Sequence, residues 1–494
     1  MGLILNILES TDVPKYKQIV EQVVRLVDED IMREGSRMPS SREMAQTLGL
    51  NRSTVYRAYQ ELWALGYLES RPGAYSTIRK RSPIVYGNEK NTKSVLDWSR
   101  VCCGTAEGLY DVYQKEQTLC EEASPAHYID FSVLSPAAEL FPLDDFRKCL
   151  NQVMVNFGAE LLEYGDIQGY KPLREYISER MKMHSVWIAP EEILITTGAQ
   201  NGIELMMHLL TEPGDSVAFE SPTYSRALDL FRMHSVEPVP IVMEEKGMDL
   251  DSLENFTRKR KLKLIYTIPN FHNPTGITSI QQHRERLIGI CEQYGVPLIE
   301  DGFEEEMKYF GKAVLPIKSM DRGGVVVYIG TFSKILFPGL RVGWIAADRE
   351  CIKRLIPLKR ASSLGGSHLL QAALEQFCRR GFYDFHIKRM HRMYRKRMAA
   401  ALKQMEKEFN NIPVTWITPA GGYTIWIKIN RRQIPEYELI RKLWDRGIKI
   451  TPGSPYYFDD AGVLYLRLSI AHTTEKEIET GIHRIREGIE SFID

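Results

Sequence analysis

The stretch Val325-Val326-Val327-Tyr328-Ile329-Gly330-Thr331-Phe332-Ser333-Lys334-Ile335-Leu336-Phe337-Pro338-Gly339-Leu340-Arg341 decides how the larger part of this chain is read. Its first five residues are apolar and β-rich, the pattern of a buried strand. The chain then turns abruptly small and polar, and a lysine follows. An amine that forms an imine needs a lowered pKa and a fixed position. The hydroxyls of Thr331 and Ser333, with the guanidinium of Arg341, are suited to hold a phosphate beside Lys334. Taken alone, a lysine is far more often an exposed surface residue. The reading therefore depends on what the rest of the chain supplies.

Working outward, Leu298-Ile299-Glu300-Asp301 ends a second apolar run. A carboxylate there can pair with a protonated pyridine nitrogen, although a strand-end Asp also commonly caps the next helix. Thr197-Gly198-Ala199-Gln200-Asn201 follows Ile193–Thr197 at a strand-to-helix junction. Such a junction offers free N–H groups and a positive dipole end to a phosphate. In Asn270-Phe271-His272-Asn273-Pro274-Thr275-Gly276, Asn273 can donate to a phenolate oxygen, with the Pro-Thr-Gly turn fixing it. Each has a plain reading as a turn or loop; together and in order they point to one site.

Further short β-rich runs, Ser216–Phe219, Leu264–Thr267 and Val296–Glu300, alternate with helical stretches. That alternation predicts a mostly parallel sheet with covering helices, an α/β domain. A long helix from Tyr383 to Phe409 leads to a tail from about 410. There Tyr423–Lys428 and Val463–Ser469 read as strands and Glu475–Phe492 as a helix, a smaller α+β lobe.

The first 81 residues have another character. Tyr16, Ile19, Val20, Val23, Val27 and Ile31 recur at helical spacing. Ser40 with Glu43 is a capping-box pattern opening a second helix that stops at Gly49. Asn51 caps a third, with Val55, Ala58, Tyr59, Leu62 and Leu65 on one face and Gly66 at its end. Tyr67-Leu68 and Thr77-Ile78 flank Arg71-Pro72-Gly73, a short hairpin. Three helices and a hairpin make a winged helix. Residues 33–81 hold nine basic and four acidic side chains, a local net of +5, the electrostatic footprint of a nucleic-acid face. Residues 82–127 read as a linker, with a weak helical pattern from Val95 to about Ala123.

Bulk numbers bound the classes. The chain has 494 residues, 64 basic and 64 acidic, so overall charge neither favours nor excludes nucleic acid. Seven Cys without framework spacing suit free thiols in a reducing cytoplasm. No apolar run approaches a membrane span, no leader pattern opens the chain, and no metal site is expected.

Residues 128–494 resemble the fold-type I, class I aminotransferases, through Gly198-Ala199-Gln200, Asn273-Pro274-Thr275-Gly276, Asp301 and Ser333-Lys334 through Pro338-Gly339-x-Arg341 in order. The resemblance implies pyridoxal 5'-phosphate held as an aldimine on Lys334, Asp301 at the pyridine nitrogen, Asn273 at the ring hydroxyl and Tyr224 near the ring. It also implies that Arg467, in Tyr465-Leu466-Arg467-Leu468-Ser469, clamps a ligand carboxylate, and Arg226 offers a second anion contact. Where relatives commonly carry Asp-Asp-Tyr or Asp-x-x-Tyr, with a Tyr near the ring oxygen, this chain has Asp301-Gly302-Phe303, and Phe303 cannot donate that hydrogen bond.

The front unit resembles the GntR regulators, through Met38-Pro39-Ser40-Ser41-Arg42-Glu43-Met44-Ala45 and Asn51-Arg52-Ser53-Thr54-Val55-Tyr56-Arg57. That resemblance implies a third helix in the major groove of double-stranded DNA, with Arg52, Ser53, Thr54 and Arg57 reaching it and Arg42 adding a contact. Its wing departs from the pattern at Gly73-Ala74-Tyr75. The combination resembles the MocR subfamily, which implies a head-to-tail homodimer that senses an amino-carboxylate, or the cofactor itself, and regulates transcription. The alternative is an active aminotransferase with an accessory winged helix. A basic run over 353–397, twelve Lys/Arg against two Asp/Glu, is either a further DNA footprint or a solvated helix face.

Overall fold

The computed structural model describes residues 5–8, 11, 13–69, 75–79, 96–118, 127–303, 306–311, 314–431, 434–459 and 462–492. The expected Arg71–Gly73 turn and residues 82–95 and 119–126 of the expected linker lie outside them. Contacts divide the chain into two units, Met1–Asp97 and Trp98–Asp494.

In the first unit, helices Lys15–Asp28, Ser41–Leu48 and Arg52–Ala64 enclose one core, and Leu68–Glu69 pairs antiparallel with Thr77–Ile78. Ile19, Val23, Val55, Ala58 and Leu62 are fully buried. Cutting Leu62 back to Ala would cost about 2–5 kcal/mol. The capping box forms: Ser40 Oγ accepts from Glu43 N at 3.2 Å, and Ser40 N donates to the Glu43 carboxylate at 2.8 Å. Gly49 ends that helix at φ 63°, where a Cβ would be strained. Two expectations need correction. Ile31 lies beyond the first helix and is exposed, because the chain leaves helical geometry at Glu29–Asp30, with Asp30 at φ 58°. Asn51 stands at the start of the third helix, but its side chain makes no capping bond.

The second unit is built on an eight-stranded sheet. Its spatial order is Ile193–Thr196, Gly343–Ala346, Val326–Thr331, Leu298–Asp301, Leu262–Thr267, Ser216–Ser221, Glu237–Glu244 and Gly247–Met248. The central pairings are parallel; Gly343–Ala346 runs antiparallel to both neighbours. Helices cover both faces, so these strands are apolar throughout rather than alternating. Val327 and Ile329 pack with Leu205 and Phe231 on one side, and Val326 packs with Leu287 and Leu298 on the other. Glu237–Glu244 contains Pro238 and Pro240, which discourage a strand reading. Both prolines sit where the strand has a neighbour on one side only, since Gly247–Met248 pairs only with Met243 and Glu244.

Helix Phe382–Glu408 leads into a second sheet, Val414–Trp416, Thr424–Ile429, Leu464–Ser469 and Thr451–Pro452, covered by helices Glu436–Asp445 and Glu475–Glu490. This lobe takes in more than the tail. Ile129–Asp130 pairs parallel with Ile448–Lys449, and Ser469 N donates to Phe131 O at 2.9 Å. Helices Trp98–Val101 and Gly104–Thr118 occupy much of the stretch expected to be a connector, and the latter packs on helix Ser225–Met233. The basic run over 353–397 spans three helices and is not one face. Lys359 and Arg397 are buried, donating to the carbonyls of Ile167 and of Ile470 and Ala471.

Candidate active site and nucleic-acid face

Every motif picked out around Lys334 sits at the carboxyl end of a strand of the large sheet or in the loop after one, the edge where α/β sheets bind ligands. Thr331 and Asp301 are the last residues of adjacent strands. Gly198–Gln200, Tyr224, Asn273, Ser333, Lys334 and Arg341 come from the loops and helix starts beyond. One cavity is lined by Ala199, Gln200, Tyr224, Asn273, Asp301 and Lys334, with Thr331, Ser333, Arg341 and Phe303 completing it.

The lysine is held through its backbone. Tyr423 Oη donates to the Lys334 carbonyl at 3.0 Å, and His386 Nε2 donates to the Ile335 carbonyl at 2.8 Å. Ser333 N donates to Thr331 Oγ1 at 3.1 Å, closing the turn. Neither Tyr423 nor His386 stood out in the sequence as an anchor, because each lies at least 50 residues from Lys334.

Asp301 is buried, and burial pushes its carboxyl up to about 6 against the opposing influence of Tyr266 and Lys334. Tyr266 Oη donates to Asp301 Oδ2 at 2.8 Å, while Oδ1 is buried without a hydrogen-bond partner. Tyr224, at the start of its helix, is pushed up to about 12 by burial and by Asp301. Asn273 rides on a loop closed by His272 N donating to Ile277 O at 2.8 Å and by the His272–Thr275 ring contact at 2.9 Å. Beneath it, His272 Nε2 lies 3.2 Å from Glu220 in a fully buried pair. Burial opposes the Glu220 charge, but His272, Thr267 and the Ile268 N–H together hold its carboxyl below the ordinary range.

The phosphate end is equally built. Helix Ala199–Leu210 starts after Gly198 with no side-chain cap, and its first residues, Ala199 and Gln200, line the cavity. Gly198 has φ 99°, and a Cβ there would stand 2.8 Å from Arg341 Nη2. Arg341 donates to Thr197 O at 3.0 Å, and Ser333 Oγ is buried without a partner. Gln200 Nε2 donates to Arg226 O at 2.8 Å, tying the two helix starts together. An uncapped helix start, an arginine and an unmatched hydroxyl at one end fit a phosphate. An unmatched carboxylate oxygen at the other end fits a protonated ring nitrogen. The residues present therefore fit pyridoxal phosphate.

A second cavity shares Tyr224, Asn273 and Lys334 with the first and reaches Arg467 and Arg226. Arg467 is buried, donates from Nη1 to Asn273 Oδ1 at 3.3 Å and from Nη2 to Thr451 Oγ1 at 3.2 Å, and lies 5.2 Å from the centre of the Tyr456 ring. Ser132 O accepts from it as well. Arg226 is exposed and paired with Asp229 at 2.9 Å. Phe303 is buried against the main core and lines the first cavity without any polar side-chain atom.

In the first unit, Arg42, Arg52, Ser53 and Arg57 lie at the surface and Thr54 is half-buried. Arg57 is not extended into solvent alone: its guanidinium stacks 4.1 Å from the Tyr16 ring centre on the first helix. Tyr56, exposed on the same helix as Arg52 and Arg57, was not singled out in the sequence.

Fold and site together define an aminotransferase-type pyridoxal-phosphate domain joined to a winged helix. Residues 127–485 match the family of class I and II aminotransferases, and residues 15–77 match the gntR family of bacterial regulatory proteins. The chain belongs to the class I and II aminotransferase family and, with its GntR front, to the MocR-type regulators within it. It is 30% identical to the uncharacterized HTH-type transcriptional regulator YdfD of Bacillus subtilis, over 96% of this chain and 95% of that one. It is 34% identical to aromatic-amino-acid aminotransferase 1 of Thermococcus litoralis, over 81% of this chain and 97% of the relative. The α-aminoadipate aminotransferase LysN of Thermus thermophilus, solved with N-(5'-phosphopyridoxyl)-L-leucine, superposes with a TM-score of 0.74 at 27% identity, covering 81% of this chain and 99% of that one. Among the described residues no helix is long and apolar enough to cross a membrane.

Proposed function

We propose that this protein is a pyridoxal-phosphate-dependent, DNA-binding transcription regulator whose aminotransferase-like domain reads an amino-carboxylate. Residues 1–81 serve as the DNA reader, 82–127 as a connector and 128–494 as the sensor. The observation that carries it is the presence in one chain of an exposed, cationic third helix and a fully furnished cofactor site. Lys334 would hold the cofactor, with Asp301 at the pyridine nitrogen, Asn273 at the ring oxygen and Tyr224 beside the ring. Thr331, Ser333, Arg341 and the N–H groups of Ala199 and Gln200 would hold the phosphate. When bound, pyridoxal phosphate supplies an aldehyde that condenses with primary amines and a ring that withdraws electrons.

The chain's own residues then do the recognising. Arg467 would capture a carboxylate through its planar fork, and the helix start at Gly198 would hold the phosphate beside Lys334. Phe303 leaves the ring oxygen to Asn273, which favours sensing over rapid turnover. Arg42, Arg52, Ser53, Thr54 and Arg57 are the DNA contacts. The exposed Val155, Leu162, Tyr164 and Trp187 support a homodimer, since apolar surface of this kind marks association sites. The place of action is the cytoplasm, with the DNA.

The test is DNA binding by the holoprotein to its own upstream region, with and without amino acids. Absence of any sequence-specific complex under every condition would sink the proposal. Steady release of an oxo acid with no effect on DNA binding would instead favour the aminotransferase reading.

A further inference from the structure

We infer that the effector is an α-amino acid with an uncharged, apolar or aromatic side chain, an inference that rests on the amino-carboxylate reading above. Asn273 lines the cavity with Lys334 and accepts a hydrogen bond from Arg467 at 3.3 Å. The amine and carboxylate positions are therefore neighbours, and the space beyond them is left for a side chain. Its wall is Leu134, Ile440, Trp444, Ile448, Ile450 and Tyr456. Five of these six are under 9% exposed, so the wall is a fixed part of the interior.

The charged groups on that wall are already committed. Arg226 pairs with Asp229 at 2.9 Å, and Lys449 faces Asp130 at 4.0 Å. A second carboxylate on the effector would share Arg226 or Lys449 with the acid already beside it. No Asp or Glu is among the lining residues of this cavity, so a cationic side chain would be buried without a counter-charge. Burying an unpaired charge against apolar groups is strongly unfavourable, whereas each methylene placed there tightens binding about 10- to 200-fold. The chain segments explain the chemistry. Leu134 follows the stretch Ile129–Asp130, which pairs with Ile448–Lys449 of the small lobe, and Ile450 comes directly after that strand.

The experiment uses the full-length holoprotein. Its visible absorbance and its thermal midpoint are followed during titration with L-phenylalanine, L-leucine, L-alanine, L-glutamate and L-lysine. L-phenylalanine or L-leucine is expected to reach half-saturation at a concentration about tenfold or more below L-glutamate and L-lysine. Equal or tighter binding of L-glutamate or L-lysine overturns the inference and leaves the sensor reading standing. If no amine changes either signal, the sensor reading itself fails. In Trp444→Ala, half-saturation by the preferred large ligand should rise about tenfold while L-alanine, too short to reach the wall, is unchanged. An equal loss for both ligands overturns the assignment of the wall as the side-chain site.

Discussion

Arg467 donates from Nη1 to Asn273 Oδ1 across 3.3 Å, so the residue proposed to meet a ligand carboxylate and the residue proposed to meet the cofactor ring share one hydrogen bond. A carboxylate arriving at Arg467 competes for that guanidinium edge and changes what Asn273 can offer the ring. On that proposal, ligand capture and the cofactor's electronic environment would be linked through a single polar contact.

Arg467→Lys keeps the charge and loses the fork. Amino acids should bind about 10- to 100-fold more weakly, while a primary amine without a carboxylate is unaffected. The holoprotein's absorbance maximum should also move before any ligand is added, because Asn273 has lost its partner. Spectral titration of the variant with an amino acid and its decarboxylated amine checks both. An unshifted maximum would show that Asn273 does not depend on Arg467.

Asp301 gives a pH dependence of known sign. Burial lifts its carboxyl to about 6 in the folded chain without a ring cation beside it. Between the ordinary carboxylate range and about 6 the folded chain then binds more protons than the unfolded one, so this group's contribution to stability falls as pH rises through that window. A protonated ring nitrogen beside Oδ1 favours the carboxylate, so cofactor affinity should climb as pH rises through about 6. Asp301→Asn should remove that component of the climb, measured as the pH profile of cofactor binding for both proteins. Tyr266→Phe should move the midpoint upward, because Tyr266 donates to the carboxylate.

The features legible in sequence were those that need a particular residue for a particular backbone or charge. Gly198 at φ 99°, the Asn273–Gly276 turn, the Ser40–Glu43 box and Gly49 carry their reason in their chemistry. What stayed hidden depends on partners far along the chain. Tyr266 is one more apolar-run residue until the adjacent strand brings Asp301 within 2.8 Å. Glu220 and His272 are 52 positions apart and meet only because strand Ser216–Ser221 lies beside strand Leu262–Thr267. Gly343–Ala346 is four residues long and reversed, too short for periodicity to reveal. Helix Gly104–Thr118 buries little, so its apolar pattern is weak.

Gly198→Ala probes the phosphate end. The φ of 99° with ψ of 172° belongs to a region almost confined to glycine, and holding an alanine there costs about 1–3 kcal/mol. The new methyl would also stand 2.8 Å from Arg341 Nη2, pushing it away and breaking its bond to Thr197 O. Cofactor affinity should fall about tenfold or more, with DNA binding by the cofactor-free protein unchanged. Equilibrium binding of the cofactor, beside thermal unfolding of the cofactor-free chain, separates the two effects.

Arg52 and Arg57 should behave differently although both are exposed on the third helix. Arg52 stands at the first position of that helix with its side chain in solvent. Arg52→Ala should therefore weaken DNA binding and reduce the slope of affinity against salt by about one unit if it meets a phosphate, with the fold unaffected. Arg57 stacks on Tyr16 at 4.1 Å, and such a contact at an exposed site is worth about 0.5–1 kcal/mol. Arg57→Ala should lower the unfolding midpoint of the winged helix as well as its DNA affinity, and Tyr16→Leu should reproduce the first effect. Tyr16→Leu should also alter DNA affinity, because the guanidinium loses the ring that holds it in place. Salt-dependent binding isotherms and denaturation of the three variants decide the matter. If Tyr16→Leu leaves DNA affinity at the wild-type level, the stack serves packing of the first helix and does not present Arg57 to DNA.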